Sequence, residues 1–190
     1  IYERSDVAVR EKEGLPLIKG KLYGDFAPKV IIEENGLKMI ADLENGQKTG
    51  YFLDQKENRL AIRRYSKGAD VLDCFCNVGG FSLNAAAAGA ESVTALDISE
   101  KALELVRENA VLNGLSDKVT TVCADVFEML REYKKSGRTF DVVILDPPAF
   151  CKTANEVKGA YKGYKDINIL GMKLVKKGGF LVSASCSHYM

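Results

Sequence analysis

The sequence has no tryptophan, one histidine and four prolines in 190 residues. It has no apolar run near the roughly 18 residues that a membrane span needs. Its first residues, Ile1-Tyr2-Glu3-Arg4-Ser5-Asp6, lack the apolar segment of a signal peptide. With one His, and with Cys74 and Cys76 only two apart, zinc-ligand spacing is missing, so no metal is expected. The five cysteines (74, 76, 123, 151 and 186) are odd in number and mostly sit in or beside apolar runs. They argue against a disulfide framework and for a reducing cytoplasm. Core material is plentiful, at 46% hydrophobic residues: one sizeable core with a small appendage. The chain begins with Ile and stops at Met190, and it is read as a piece of a longer protein.

A net charge of +1 hides an asymmetry. Residues 1–67 carry 13 Lys+Arg against 11 Asp+Glu, residues 68–150 carry 7 against 13, and residues 151–190 carry 7 against 2. The basic tail holds Lys152, Lys158, Lys162, Lys165, Lys173, Lys176 and Lys177. Read blandly, this is a solvated helix face. The first four lysines also flank the loop after Pro147-Pro148, where a polyanion could meet an active-site mouth.

Residues 1–27 read as a connector with no clear period. Residues 28–43 read as a hairpin, with a β-branched run, the Asn35-Gly36 pair and alternating Leu37/Met39. A charged helical stretch then runs to about Tyr65. From Ala69 strands and helices alternate: strands at 71–73, 92–97, 118–123, 142–146 and 180–186, and a helix at 164–176 stopped by Gly178-Gly179. Such alternation specifies an α/β fold, a Rossmann-like parallel sheet with helices on both faces, preceded by a β-hairpin segment. The domain division is 1–67 (connector, hairpin and covering segment) and 68–190 (Rossmann-like domain).

Ligands of open parallel sheets bind at the carboxyl ends of the strands. There this chain places Asp73-x-Phe75-x-Asn77-x-Gly79-Gly80, Asp97, Asp125, Asp146-Pro147-Pro148-Ala149-Phe150 and Ser185-Cys186-Ser187. Phe75 and Asn77 stand where a pyrophosphate turn would have glycine, which favours a ligand without phosphates. Asp97 can accept both hydroxyls of a ribose, and Asp125 can accept from an adenine amino group. Any one of these acids could instead be a surface Asp capping a helix. Three at the ends of consecutive strands outline a nucleoside-type pocket that suits a sulfonium cofactor.

In this order, Asp73-x-Phe75-x-Asn77-x-Gly79-Gly80-Phe81-Ser82, Ala95-Leu96-Asp97-Ile98-Ser99, Leu145-Asp146-Pro147-Pro148-Ala149-Phe150 and Ser185-Cys186-Ser187 resemble class I S-adenosylmethionine-dependent methyltransferases. Within that class the likeness is to the ribosomal large-subunit RNA (cytosine-5)-methyltransferases, whose pattern the stretches 44–59 and 158–166 also resemble. The resemblance implies S-adenosyl-L-methionine as cofactor, RNA as partner, and a cofactor site of Asp73, Phe75, Asn77, Gly79, Asp97, Ile98, Asp125, Val126 and Asp146. It adds Lys48, Thr49, Gly50 and Gln55 as a segment lying over the cofactor. It implies Cys186 as the nucleophile that adds to C6 of cytosine, and Asp146 as the acid that holds the base. Pro147, Pro148, Phe150, Lys152 and Tyr161 would meet the substrate, Phe150 and Tyr161 by stacking on a flipped base. Family members also carry an N-terminal PUA domain and a final hairpin in the catalytic sheet. Both are absent from this chain, which would make it a fragment. A homodimer is compatible with the resemblance.

Other readings stay open. Cys186 could be an inert core cysteine. Cys151, just past the Pro-Pro loop, is a rival nucleophile. Many RNA cytosine-5 methyltransferases place Cys directly after the proline pair, where this chain has Ala149. Phe150 and Tyr161 could simply pack, and His188 reads as surface or loop. A guanine or adenine methyltransferase (N2, N6 or N7) would use the Asp-Pro-Pro loop without a cysteine. A non-catalytic RNA-binding module is the reading from a different class.

Overall fold

The computed structural model describes residues 1–25, 27–151 and 153–187. The chain divides into two compact units, Ile1–Lys56 and Glu57–Met190. The boundary read from composition, at 67/68, lies beyond this division.

In the first unit, β1 (Tyr2–Ser5) pairs antiparallel with β2 (Ile18–Lys21), and the short helix α1 (Val9–Lys12) lies between them in sequence. This corrects the connector expected over 1–27. The strands are four residues long, β1 is half-buried throughout and β2 mostly exposed, so neither shows the alternation that marks a strand in sequence. The hairpin of β3 (Lys29–Glu34) and β4 (Leu37–Asp42) is the one the sequence predicts. Asn35 and Gly36 both have positive φ (55° and 76°), as a tight two-residue turn requires. One Nη1 of Arg4 donates to the carbonyls of Leu43 and Gly46, each at 3.0 Å, tying the strand to the loop after β4.

The division falls at the start of α2 (Lys56–Ala61), and in the second unit α3 (Arg63–Ser66) leads into β5 (Asp70–Cys74), α4 (Gly80–Ala87), β6 (Ser92–Asp97), α5 (Glu100–Leu112), β7 (Val119–Cys123), α6 (Val126–Ser136), β8 (Phe140–Leu145), α7 (Val157–Leu174) and β9 (Val175–Ser183). The strands form one parallel sheet in the order β7-β6-β5-β8-β9. Alternating residues feed opposite faces. Leu72, Cys74, Val143 and Leu145 pack with Leu130 of α6 and Ile167 and Leu174 of α7. Val71, Val142 and Ile144 pack with Phe81, Ala85 and Ala86 of α4. Both faces are therefore covered, and every strand's carboxyl end opens on the same edge of the sheet.

Gly178-Gly179 does not stop a helix, as the sequence suggested. The helix ends at Leu174, and the pair forms an irregularity inside β9, where the register to β8 shifts between Phe140 and Val142. A side chain at Gly179 would sit 2.4 Å from the Asp141 carbonyl oxygen, so only glycine lets the two strands pair there. No helix among the described residues is long and apolar enough to cross a membrane.

Candidate active site

The turn from β5 into α4 is the floor of the site. Phe75, Asn77 and Gly79 all hold left-handed backbone, with φ of 61°, 48° and 83°. Two of these carry side chains, which is uncommon and costs on the order of 1 kcal/mol each. Neighbouring elements hold the shape. The Cys76 N–H donates to the Leu96 carbonyl (3.2 Å), the Asn77 N–H to Asp97 Oδ2 (2.9 Å), and Asn109 Nδ2 of α5 to the Val78 carbonyl (3.1 Å). A side chain at Gly79 would meet the Val106 methyls at 3.0 and 3.2 Å. The turn thus keeps glycine-like geometry with mostly non-glycine residues.

Three carboxylates border this floor. Asp73, at the end of β5, is fully buried. Its Oδ2 accepts from the Ser82 N–H (2.9 Å) and hydroxyl (2.6 Å), while among the described residues its Oδ1 has no hydrogen-bond partner. Burial pushes its pKa up to about 7; the Ser82 hydroxyl opposes this, and the charge of Asp146 adds to it. Asp97 ends β6 and accepts from Asn77 through one oxygen and from the Ser99 N–H (2.9 Å) through the other. A carboxylate has about four lone-pair positions, so it can still accept from a diol. Asp146 follows β8, and its N–H donates to the Cys74 carbonyl at 3.4 Å.

The remaining expected cofactor residues divide. Ile98 is 70% exposed beside Asp97, while the Val126 side chain is committed to the core. Asp125 is the N-cap of α6, with Oδ1 accepting from the Glu128 N–H (3.0 Å). That is the capping role the sequence left open as an alternative. Lys48, Thr49, Gly50 and Gln55 lie in the first unit. Lys48 Nζ stands 5.0 Å over the Phe52 ring, the Thr49 hydroxyl donates to the Tyr51 carbonyl (3.2 Å), Gly50 is buried, and Gln55 ends a short 3-10 turn.

These acceptors suit a cationic nucleoside better than a dinucleotide. Residues 73–80 and 97–99 contain carboxylates and no Lys or Arg. A pyrophosphate would be repelled there, whereas a sulfonium and an ammonium group would be attracted. The orphaned Asp73 Oδ1 is a buried acceptor of the kind that a hydrogen-bonding ligand satisfies. Among the described residues no His/Cys/Asp/Glu group could hold a metal ion.

On the other side of the Asp146 loop lies the thiol of Cys186. It is exposed, and it approaches the Pro147 carbonyl oxygen at 3.8 Å. The other four cysteines are placed differently. Cys74 and Cys76 are buried, and burial pushes their thiols well up. Cys151 is 2% exposed, with its thiol against the Thr153 carbonyl (3.3 Å). Cys123 is exposed at the end of β7, with its thiol raised by desolvation and by the Glu100 carboxylate. Burial thus separates Cys186 from its rival Cys151.

Pro147 is buried and Pro148 exposed. Phe150 packs, the alternative the sequence left open: its ring meets Tyr164 at 4.7 Å, Phe127 at 5.9 Å and Phe75 at 6.5 Å. Tyr161 is 60% exposed on α7. Lys152 and His188 lie outside the described residues. Sequence reading gave no role to Ser82, Ser187 or Tyr164. Ser82 was the most findable, as a hydroxyl at the start of the helix after Asp73.

Residues 20–187 match the family described as S-adenosylmethionine-dependent methyltransferase. Over its whole length the chain is 52% identical to a ribosomal RNA large subunit methyltransferase I of Shewanella amazonensis, covering 48% of that protein. It therefore spans about half the length of the curated relatives it matches. Among solved structures, a methyltransferase complexed with SAH is 29% identical, with a TM-score of 0.76 over 86% of this chain and 43% of that one. The tRNA m1G37 methyltransferase of M. jannaschii is 25% identical, with a TM-score of 0.64 over 87% of this chain and 46% of that one.

Proposed function

The chain belongs to the S-adenosylmethionine-dependent methyltransferase family, and on that premise we propose that it methylates C5 of a cytosine in large-subunit ribosomal RNA, with Cys186 as nucleophile and Asp146 as the group that holds the base. The observation that carries this reading is the exposed Cys186 thiol beside the Asp146-Pro147 backbone. C5 of cytosine is a poor nucleophile until something adds to C6. The Cys186 thiolate forms the S–C6 bond and pushes the C5=C6 electron pair onto C5. When bound, S-adenosylmethionine would supply the electrophilic methyl group for that carbon, its sulfur keeping the electron pair of the broken S–CH3 bond. Loss of the C5 proton to a base then restores C5=C6 and expels the Cys186 thiolate. Asp146 holds the N3 or amino edge of the base as charge builds on the ring.

For the cofactor, Asp97 would hold the ribose hydroxyls, with Ile98 against the adenine and Asp73, Phe75, Asn77 and Gly79 beneath. RNA as substrate is supported by the name of the curated relative, and by the exposed Lys158, Lys162 and Lys165 with Tyr161 on one face of α7, opposite the buried Ala160, Tyr164 and Ile167. A cytoplasmic setting accords with five free cysteines. A second reading, methylation of a purine nitrogen by the Asp-Pro-Pro loop alone, is favoured by the likeness to the tRNA m1G37 enzyme.

The experiment is a covalent trap. Fluorine at C5 cannot leave as a proton does, so large-subunit RNA containing 5-fluorocytidine should accumulate an adduct on Cys186, mapped by peptide mass. Turnover without any adduct would leave the purine reading.

A further inference from the structure

Ser187 directly follows Cys186, yet its side chain turns the other way: it is 8% exposed, while Cys186 is exposed. Its Oγ accepts from the Cys151 N–H (3.2 Å) and shares a 2.8 Å hydrogen bond with the Tyr164 hydroxyl. Cys151 closes the loop that Asp146 opens. Tyr164 sits in the first half of α7, with its ring 4.7 Å from that of Phe150 in the same loop. One buried hydroxyl therefore joins three stretches far apart in sequence: the acid's loop, helix α7 and the thiol's segment. A hydroxyl offers one donor and two acceptor positions, and two of these are used on backbone and phenol groups that would otherwise be buried unsatisfied.

The second link between the acid's loop and the thiol's segment is the Cys186 thiol at the Pro147 carbonyl, a long contact at 3.8 Å. Past the last ladder bond, from the Ala184 N–H to the Leu145 carbonyl (2.9 Å), this contact alone would let Ser185 and Cys186 swing against the loop. The Ser187 bonds lie one residue further on and remove that freedom.

We propose that Ser187, backed by Tyr164, is a positioning residue that fixes the Cys186 thiol in register with the Asp146 loop, so that both groups reach one base. This rests on the cytosine-5 reading above. A misplacement near 1 Å can cost on the order of 100-fold in rate.

The test uses the protein with S-adenosylmethionine and unmodified large-subunit RNA. Ser187→Ala should lower kcat by about 100-fold, with the KM for RNA and the cofactor Kd within about twofold of the parent. Ser187→Thr, which keeps the hydroxyl, should recover most of the rate. Tyr164→Phe, which leaves the Ser187–Cys151 bond, should lose less than Ser187→Ala. A Ser187→Ala kcat within about twofold of the parent overturns the inference, as does a loss matched by equal weakening of cofactor binding. Cys186→Ala run alongside separates the two claims. If Cys186→Ala is dead and Ser187→Ala normal, only the Ser187 role falls. If Cys186→Ala still turns over, the cytosine-5 reading falls and the Ser187 role falls with it.

Discussion

The thiol of Cys186 rests 3.8 Å from the carbonyl oxygen of Pro147, the residue that follows Asp146. Two strand ends on neighbouring strands, β8 and β9, thereby bring a carboxylate and a thiol to the same rim. The ladder carries the two strands up to this point, since the Ala184 N–H still donates to the Leu145 carbonyl at 2.9 Å.

Cys186→Ala should reduce turnover by at least about 10³-fold while cofactor affinity stays within about twofold. Cys151→Ala, at the buried rival, should keep turnover near the parent level. Steady-state rates with calorimetric cofactor binding distinguish the two. Equal losses in both variants would mean that burial does not separate these cysteines.

Asp97→Ala removes the acceptor for both the Asn77 and Ser99 N–H groups. Losing hydrogen bonds to a charged group should weaken S-adenosylmethionine binding by roughly 10- to 100-fold. Unchanged affinity by calorimetry would remove Asp97 from the cofactor site.

Asp73 makes cofactor-free stability depend on pH. Burial pushes its carboxyl from the ordinary pKa of 3.8 up to about 7, so it holds its proton more tightly folded than unfolded. Its contribution is fully present below about pH 4 and is lost as the pH rises through 7. Between pH 5 and 8 the parent should lose about 2–3 kcal/mol relative to Asp73→Asn, read from urea unfolding midpoints. Parallel pH profiles would show that the carboxyl titrates normally.

Replacing Lys158, Lys162 and Lys165 together by Gln should weaken RNA binding and flatten its salt dependence. With about 0.7 counterions released per phosphate contact on a single strand, the log–log slope should shrink by roughly 2. An unchanged slope in filter binding from 50 to 200 mM salt would mark these lysines as solvated only.

Much of the second unit was legible in the sequence, because buried parallel strands alternate with amphipathic helices and end in recognisable acids. The first hairpin was not, since strands of four half-exposed residues leave no periodic trace. Gly178-Gly179 misled for a related reason: a glycine pair marks a helix stop and a strand irregularity alike, and only the Asp141 carbonyl across the sheet decides. For Phe150 the sequence left stacking and packing both open, because nothing in it brings Phe75, Phe127 and Tyr164 to that ring. Ser187 was visible only as part of Ser-Cys-Ser, for its partners lie 23 and 36 residues away.

The left-handed run at Phe75, Asn77 and Gly79 bears on how a ligand is received. A glycine-rich turn is loose when empty and is ordered by what it binds, at an entropic cost to affinity. Here side chains restrict two of the three positions, and Asp97, Leu96 and Asn109 fasten the backbone from outside. The receiving surface is therefore already shaped before any ligand arrives, and its affinity is spent on contacts instead of on folding the turn.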